Sequence, residues 1–509
     1  MQKEKVKYSL FSAKALALLI IPIVIESALS MSLGLVDSLM VKDIGNLGKA
    51  MSAVGNVDQI SNLIIQLFSA FGVGGAVITS QHLGAGKIAE ANKSAKQLIV
   101  LMFLSSLAVM AFSLALNHQI ISLFFSDMDA EYKSYSYTYF YFMAASFPFL
   151  ALFSSCAALL RAQRKSVNTM VSGAISFVLN VGCNALFIHV LDWGITGAAA
   201  ATLIARIFPA VFLLILLSNK HNLVRIKIFE RFSFNGGILK KILRLALPSG
   251  IENCLFQLGK IMTASFIAIS CYTVFLDGNP LNIADSNVTN FQVTANTIAY
   301  NINTISSVFG NGVNTAILTV IGQAVGTGDI DQVKYYIKKM LAISYIGNTV
   351  CVGAVMGLSH ILIGFFGDNI TPETAEIAQN CLWLCLSVQL VTYPLSFGLP
   401  AVLKANSDMK YVMVSAISSM IIMRVGLCYI LTCDWAGIRL GAMGLWIGMC
   451  SDWALRSVFF GGRLLHGKWK KSSGLLNGPD YGDSEKTAEE QVALALCGNG
   501  EKDDVQTDL

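Results

Sequence analysis

The chain has 509 residues, a formal net charge of +5, 54% hydrophobic residues and only 13% charged residues. Soluble domains carry about 25% charged residues, so this composition, with a mean hydropathy of +0.62, excludes a soluble enzyme. The basic excess is spread over separate loops, where anionic headgroups can meet it, and calls for no nucleic-acid partner.

A helix of about 20 apolar residues crosses the hydrocarbon core. In chain order such runs fall at 15–41, 52–79, 97–116, 135–160, 167–190, 195–218, 241–271, 292–320, 338–365, 375–402, 411–432 and 441–466. They are long and continuous. The strands of a membrane barrel are about ten residues long and alternate, so the fold class expected is an all-α membrane protein with twelve transmembrane helices. The first run is too long for a cleavable signal and lacks a small-residue cleavage site.

Charge placement orients these spans. Basic residues gather in the leader (Lys3, Lys5, Lys7, Lys14), after span 2 (Lys87, Lys93, Lys96), after span 4 (Arg161, Arg164, Lys165) and in the central loop (Lys220, Arg225, Lys227, Arg231). Acidic residues sit in odd loops, as in Asp127, Asp129 and Glu131, or Asp368, Glu373 and Glu376. Basic loops stay inside, which predicts a multi-pass plasma-membrane protein with both termini cytoplasmic.

The chain also repeats itself. At an offset of 242, Ala53 falls on Ala295, Gln81 on Gln323, Gly84 on Gly326 and Gly86 on Gly328, pairing SQHLGAG (80–86) with GQAVGTG (322–328). At an offset of 243, LRA (160–162) falls on LKA (403–405); Pro22 and Glu26 recur as Pro248 and Glu252. Two pseudo-symmetric six-helix lobes follow, 1–220 and 241–466, joined by a cytoplasmic linker, 221–240. Both lobes start on the same side, so their axis runs along the membrane normal. The second lobe carries a longer outer loop, 272–290, with a turn signal at Asp277-Gly278-Asn279-Pro280. Residues 467–509 form an acidic tail predicted to be disordered.

Ionisable groups inside a bilayer are costly and each needs a reason. Asp37, in GLVDSLMV (34–41), has no basic residue one turn away and can bind a proton, a sodium ion or an organic cation. Span 5 places Asn180 and Asn184 one turn apart on one face, and span 6 brings Thr202 to a similar depth. Together they form a candidate cation-coupling site, and a metal site if the ion is sodium. Glu26 and Glu252 each follow a proline by one turn; they either face a central cavity or are satisfied structural groups. Gln257, Lys260 and Arg424 are candidate cavity residues of the second lobe. The two cations there could repel cationic substrates, bind anionic ones, or neutralise Glu252. Asp452 and Arg456, spaced i, i+4, read as a structural pair. The glycine-rich segments lack the full phosphate-loop pattern and read as helix ends. Eleven cysteines, scattered mostly within spans, read as packing residues.

Taken in order, Pro22 with GLVDSLMV, SAVG (52–55), SQHLGAG, the LRA turn, LNVGCN (179–184), GITGAAAATLIAR (194–206), LPSGIENCLFQLGK (247–260) and GQAVGTG resemble the multidrug and toxic compound extrusion (MATE) family, bacterial type, over about residues 10–466. The resemblance implies a V-shaped, two-lobe transporter and no enzyme. It implies efflux of cationic, amphipathic, drug-like compounds by antiport against H+ or Na+, the coupling ion being the only cofactor, in a monomer. It also implies that Asp37 couples transport and that Asn180, Asn184 and Thr202 complete the ion site. Asn184 stands where some members have aspartate, and Gln257 stands near a carboxylate position of span 7. The alternative is a flippase for a lipid-linked saccharide, with Lys260 and Arg424 binding its pyrophosphate.

Overall fold

The computed structural model describes residues 10–41, 49–124, 130–226, 234–269, 272–276, 279–283, 286–366, 371–432 and 440–472. Each of the twelve apolar runs is a helix. The first lobe holds α1 (Ala13–Val41), α2 (Lys49–Gly84), α3 (Ile88–Ala115), α4 (Ala130–Ala162), α5 (Ser166–Asn184, continued by a π-helical turn Ala185–Val190) and α6 (Gly194–Ser218). The second holds α7 (Gly236–Ile269), α8 (Ser286–Ser306 and Val308–Gly326), α9 (Ile330–Gly364), α10 (Pro372–Tyr393, extended through Pro394–Gly398 to Ala405), α11 (Met409–Ser419, extended through Met420–Leu427 to Thr432) and α12 (Gly441–Leu465). Ten spans among the described residues are long and apolar enough to cross a membrane. The two that fall short are α7 and α12, which carry Glu252 with Lys260 and Asp452 with Arg456.

The expected outer loop of the second lobe contains a hairpin, β1 (Tyr272–Leu276) antiparallel to β2 (Asn279–Ile283), with Leu276 opposite Asn279. An Asp-Gly pair between two short β-prone runs is the sequence signal for such a hairpin. It is a small addition to a helical fold. The acidic tail beyond residue 472 lies outside the described residues.

Large apolar side chains point outward, as a lipid solvent requires: Val178, Ile346 and Val350 are each about two-thirds exposed. Inside, the apolar packing divides by depth. At the end bearing the basic loops, the cores are shared between lobes. Leu16, Leu19, Ile20 and Ile23 of α1 pack into the second lobe with Val313, Ile317 and Val320. Reciprocally, Ile242, Leu245 and Ala246 of α7 pack into the first lobe with Phe71, Val77 and Leu98. At the opposite end each lobe keeps its own core, around Tyr139, Phe140 and Ile188 in the first and Ile302, Leu386 and Trp446 in the second. The lobes are therefore clamped at the basic end, and α1 meets the inner segment of α8 (Val24 against Gly312) far more than its outer one.

Pro22 and Pro248 lie inside α1 and α7, where each removes a backbone donor and bends its helix. The break of α8 at Ser307 is stitched to α10: Ser306 Oγ donates to Gln389 Oε1 (3.1 Å) and the Tyr393 hydroxyl to Asn311 Oδ1 (3.0 Å). Broken helices are tolerated in lipid where side chains re-satisfy the freed backbone.

Candidate functional site

Helices α1 and α5 run in parallel and their register is set by three contacts. Ser166 Oγ donates to Leu18 O (3.0 Å), Thr169 Oγ1 donates to Glu26 Oε2 (2.7 Å), and Gly173 faces Glu26 Cγ. Continued by the common helical rise, this register puts position 37 level with Asn184. The Asp37 side chain itself lies outside the described residues. Asn184 Nδ2 donates to Asn180 Oδ1 (3.1 Å), and both amides are essentially fully buried. Antiparallel α6 packs Gly197 on Phe187 at one level, and Ser176 Oγ donates to Ala205 O (2.8 Å) at another. Thr202 therefore falls level with residues 179–182, beside Asn180. It is buried, and its hydroxyl donates to Ala198 O (3.0 Å) while keeping a lone pair. Asn180, Asn184 and Thr202 thus lie at similar depth in the first lobe, and the α1–α5 register carries the backbone of position 37 to that depth.

Glu26 is elsewhere. It forms a buried ion pair with Arg161 in addition to its bond from Thr169. Its repeat partner does the same: Glu252 pairs with Lys404 Nζ at 2.9 Å. Arg161 and Lys404 are the middle residues of the matched LRA and LKA turns, so the two lobes hold one symmetric ion pair each. Lys260 and Arg424 do not neutralise Glu252.

The glycine-rich repeats do more than end helices. Gln81 Nε2 donates to Ala405 O (2.9 Å) across the lobe boundary, and Gln323 Nε2 donates to Ala162 O (2.7 Å) in the reverse direction. Gly84 and Gly326 let the two backbones cross at this clasp: a Cβ on Gly84 would overlap Gln323 O, and one on Gly326 would overlap Gln81 O. Arg164 forks onto Gln323 Oε1 (2.9 and 2.6 Å) and covers the Phe11 ring at 3.9 Å. Burial lowers its guanidinium to about 10, which leaves it charged at neutral pH. Arg164 and Ser407, again 243 apart, both adopt left-handed backbone (φ 65° and 64°). Sequence reading found these motifs but not their mating, because contact across more than 240 residues leaves no local pattern.

In the second lobe, Asp452 Oδ1 accepts from Arg456 Nε (2.9 Å) and Ser419 Oγ (2.7 Å), which forms the expected i, i+4 pair. Arg424 Nε stands 3.4 Å from Asp452 Oδ2. Lys260 Nζ reaches the Tyr300 hydroxyl at 3.1 Å. Gln257 lies on α7 and is half-buried.

The MatE family model matches residues 22–186 and 281–430. The chain belongs to the MatE family. Relatives include an uncharacterized transporter, YisQ of Bacillus subtilis (strain 168), 26% identical over 88% of this chain and 92% of that one. Another is a probable multidrug resistance protein, NorM of Thermotoga maritima, 23% identical over 90% and 93%. An outward-facing multidrug resistance MATE transporter of the MOP superfamily superposes with a TM-score of 0.79 at 22% identity, over 90% of this chain and 96% of that one. A MOP superfamily transporter from Pyrococcus furiosus, described as having a binding pocket of reverse polarity, superposes at 0.78 with 22% identity, over 91% and 97%. This MatE chain is accordingly a multi-pass membrane transporter with two six-helix lobes.

Asp452 is the carboxylate that holds two buried guanidinium groups together. Breaking a buried pair leaves charge uncompensated and costs about 3–5 kcal/mol. Asp452→Asn is expected to lower the thermal midpoint of the purified protein and its yield in membranes. An unchanged midpoint would show that Arg424 and Arg456 are neutralised by some other group.

Proposed function

We propose that this chain is a secondary antiporter in the plasma membrane that exports amphipathic, drug-like compounds in exchange for inward H+ or Na+. The basic end is the cytoplasmic end, and both termini lie there. One chain supplies both walls of the cleft, so a monomer suffices. The ion occupies the first-lobe site, where Asp37 supplies the charge and Asn180, Asn184 and Thr202 supply neutral oxygens. The observation that carries this reading is the buried Asn180–Asn184 pair held level with position 37 by the α1–α5 register. Hard oxygen donors with one carboxylate suit either ion.

Transport follows by alternation between two facing states. The clasp at the basic end closes one side, and the lobes keep separate cores toward the other, which supports an outward-open form. Ion binding in the first lobe favours one state and the exported compound the other, so each moves the other through their differential affinities. Cationic compounds are the class implied by the family resemblance.

The test is reconstitution with sodium and pH gradients imposed separately. Dye efflux should accelerate at least tenfold under one inward cation gradient and collapse when that gradient is dissipated. Efflux indifferent to both gradients would exclude antiport.

A further inference from the structure

Three cations crowd one aromatic ring in the second lobe. Arg424 Cζ lies 4.6 Å, Arg456 Cζ 4.7 Å and Lys260 Nζ 5.3 Å from the centroid of Phe256. The carboxylate beside them among the described residues is Asp452, which is fully buried; its Oδ1 accepts from Arg456 and Ser419, and its Oδ2 faces Arg424. Arg456 spends a further donor on Ala416 O (3.2 Å). Arg424 is only 4% exposed, yet it makes no hydrogen bond among the described residues; its Nε stops 3.4 Å from Asp452. Among the described residues, three cations against one carboxylate leave two positive charges in excess. In a bilayer such an excess is costly unless an anion meets it, and a guanidinium that is ion-paired but makes no hydrogen bond keeps its donors for a second, planar carboxylate.

Position favours a ligand over a structural partner. The inner half of α7 is sealed against α2 by Gly250 packed on Leu67 and by Asn253 Nδ2 donating to Gln66 O (3.4 Å). Phe256 and Lys260 lie one and two turns beyond that seal, where α7 leaves the first lobe. Lys260 is nine residues before the end of α7, about 14 Å below it. Tyr300, on α8, is bonded to Lys260 and is 42% exposed. A partly exposed aromatic and cationic surface thus adjoins the buried Arg424. In the repeat, NVG (180–182) falls on RVG (424–426), so the first lobe has the neutral Asn180 where the second has Arg424, and the charge belongs to one wall alone.

We infer that this wall is the subsite for an anionic group on the exported compound, a carboxylate carried on an aromatic, apolar body. Arg424 and Lys260 bind the carboxylate, and Phe256 and Tyr300 border the body. Compounds that bear both a cationic amine and a carboxylate fit both this wall and the cation selection implied by the family. The inference rests on the export reading for the compound's direction of travel, and not for its binding.

The test uses a rhodamine dye with a free carboxylate and the methyl ester of the same dye. Binding to the full-length protein is titrated by fluorescence anisotropy in phosphatidylcholine nanodiscs without any ion gradient. The free acid is expected to bind at least tenfold tighter than the ester. Arg424→Gln and Lys260→Gln should each weaken acid binding about tenfold and leave ester binding unchanged. Lys260→Gln leaves the Asp452 network intact and decides the matter if the Arg424 variant fails to fold. Equal affinity for acid and ester, or an unaltered preference in the Lys260 variant, would overturn the assignment. So would a preference that disappears in phosphatidylglycerol nanodiscs, because the anion would then be a lipid headgroup. A preserved preference with no gradient-driven efflux of either dye would support the subsite and count against antiport.

Discussion

Asp37→Asn is expected to abolish cation-driven efflux while leaving folded protein in the membrane. The substitution keeps size and a hydrogen-bonding oxygen but removes the charge that an inward proton or sodium ion needs. Coupling free energies between two ligands run at about 1–3 kcal/mol, so the gradient-driven component of efflux should fall about tenfold or more. Substrate affinity without a gradient should change little. Asn184→Leu should act through the same site, because Asn184 is hydrogen-bonded to Asn180 and level with position 37; Asn184→Asp should restore a charge there and strengthen ion dependence. Efflux measured from dye-loaded vesicles under a fixed gradient checks all three. Full efflux by the Asp37 variant would place coupling elsewhere.

The second large effect is expected at the crossing of the glycine-rich repeats. Gly326→Val adds atoms where Gln81 O and the Gly84 backbone already lie. The obstruction is backbone, which cannot rotate away, and overpacking costs about 1–3 kcal/mol even where side chains can yield. The clasped form alone bears that cost, so the population should shift away from it about tenfold. Spin labels at positions 87 and 334, exposed on opposite lobes at the basic end, should report a longer and broader distance. Efflux should fall in proportion. Gly461→Val, where an added Cβ meets nothing, should leave both readings as they are. An unchanged distance with full efflux in Gly326→Val would mean that the crossing is not a gate.

Much of the fold was legible because hydropathy acts along the sequence. Every apolar run became a helix, and even α7 and α12, with their internal charges, kept their places through the count and the repeat. The chain's own duplication also contained the symmetric ion pairs. Pro22/Glu26 and LRA were matched to Pro248/Glu252 and LKA, yet nothing local said that the glutamate of one match pairs with the cation of the other. The break at Ser307 left no mark, because it answers to packing by Gln389 and Tyr393 rather than to composition. The clasp was hidden for the same reason: Gln81 and Gln323 reach carbonyls of the other lobe. At the site, helix spacing sufficed to place Asn180, Asn184 and Thr202 at similar depth, while the excess of cations around Arg424 became visible only once Asp452 was seen to be shared with Arg456.

Substrate-driven ion counterflow tests antiport most directly. Vesicles containing the purified protein and equal sodium and proton concentrations on both sides are given an outward gradient of substrate alone. Native protein should move protons or sodium inward against no gradient of their own, and Asp37→Asn should not. Substrate leaving the native vesicles with no opposing movement of either ion would contradict the exchange mechanism.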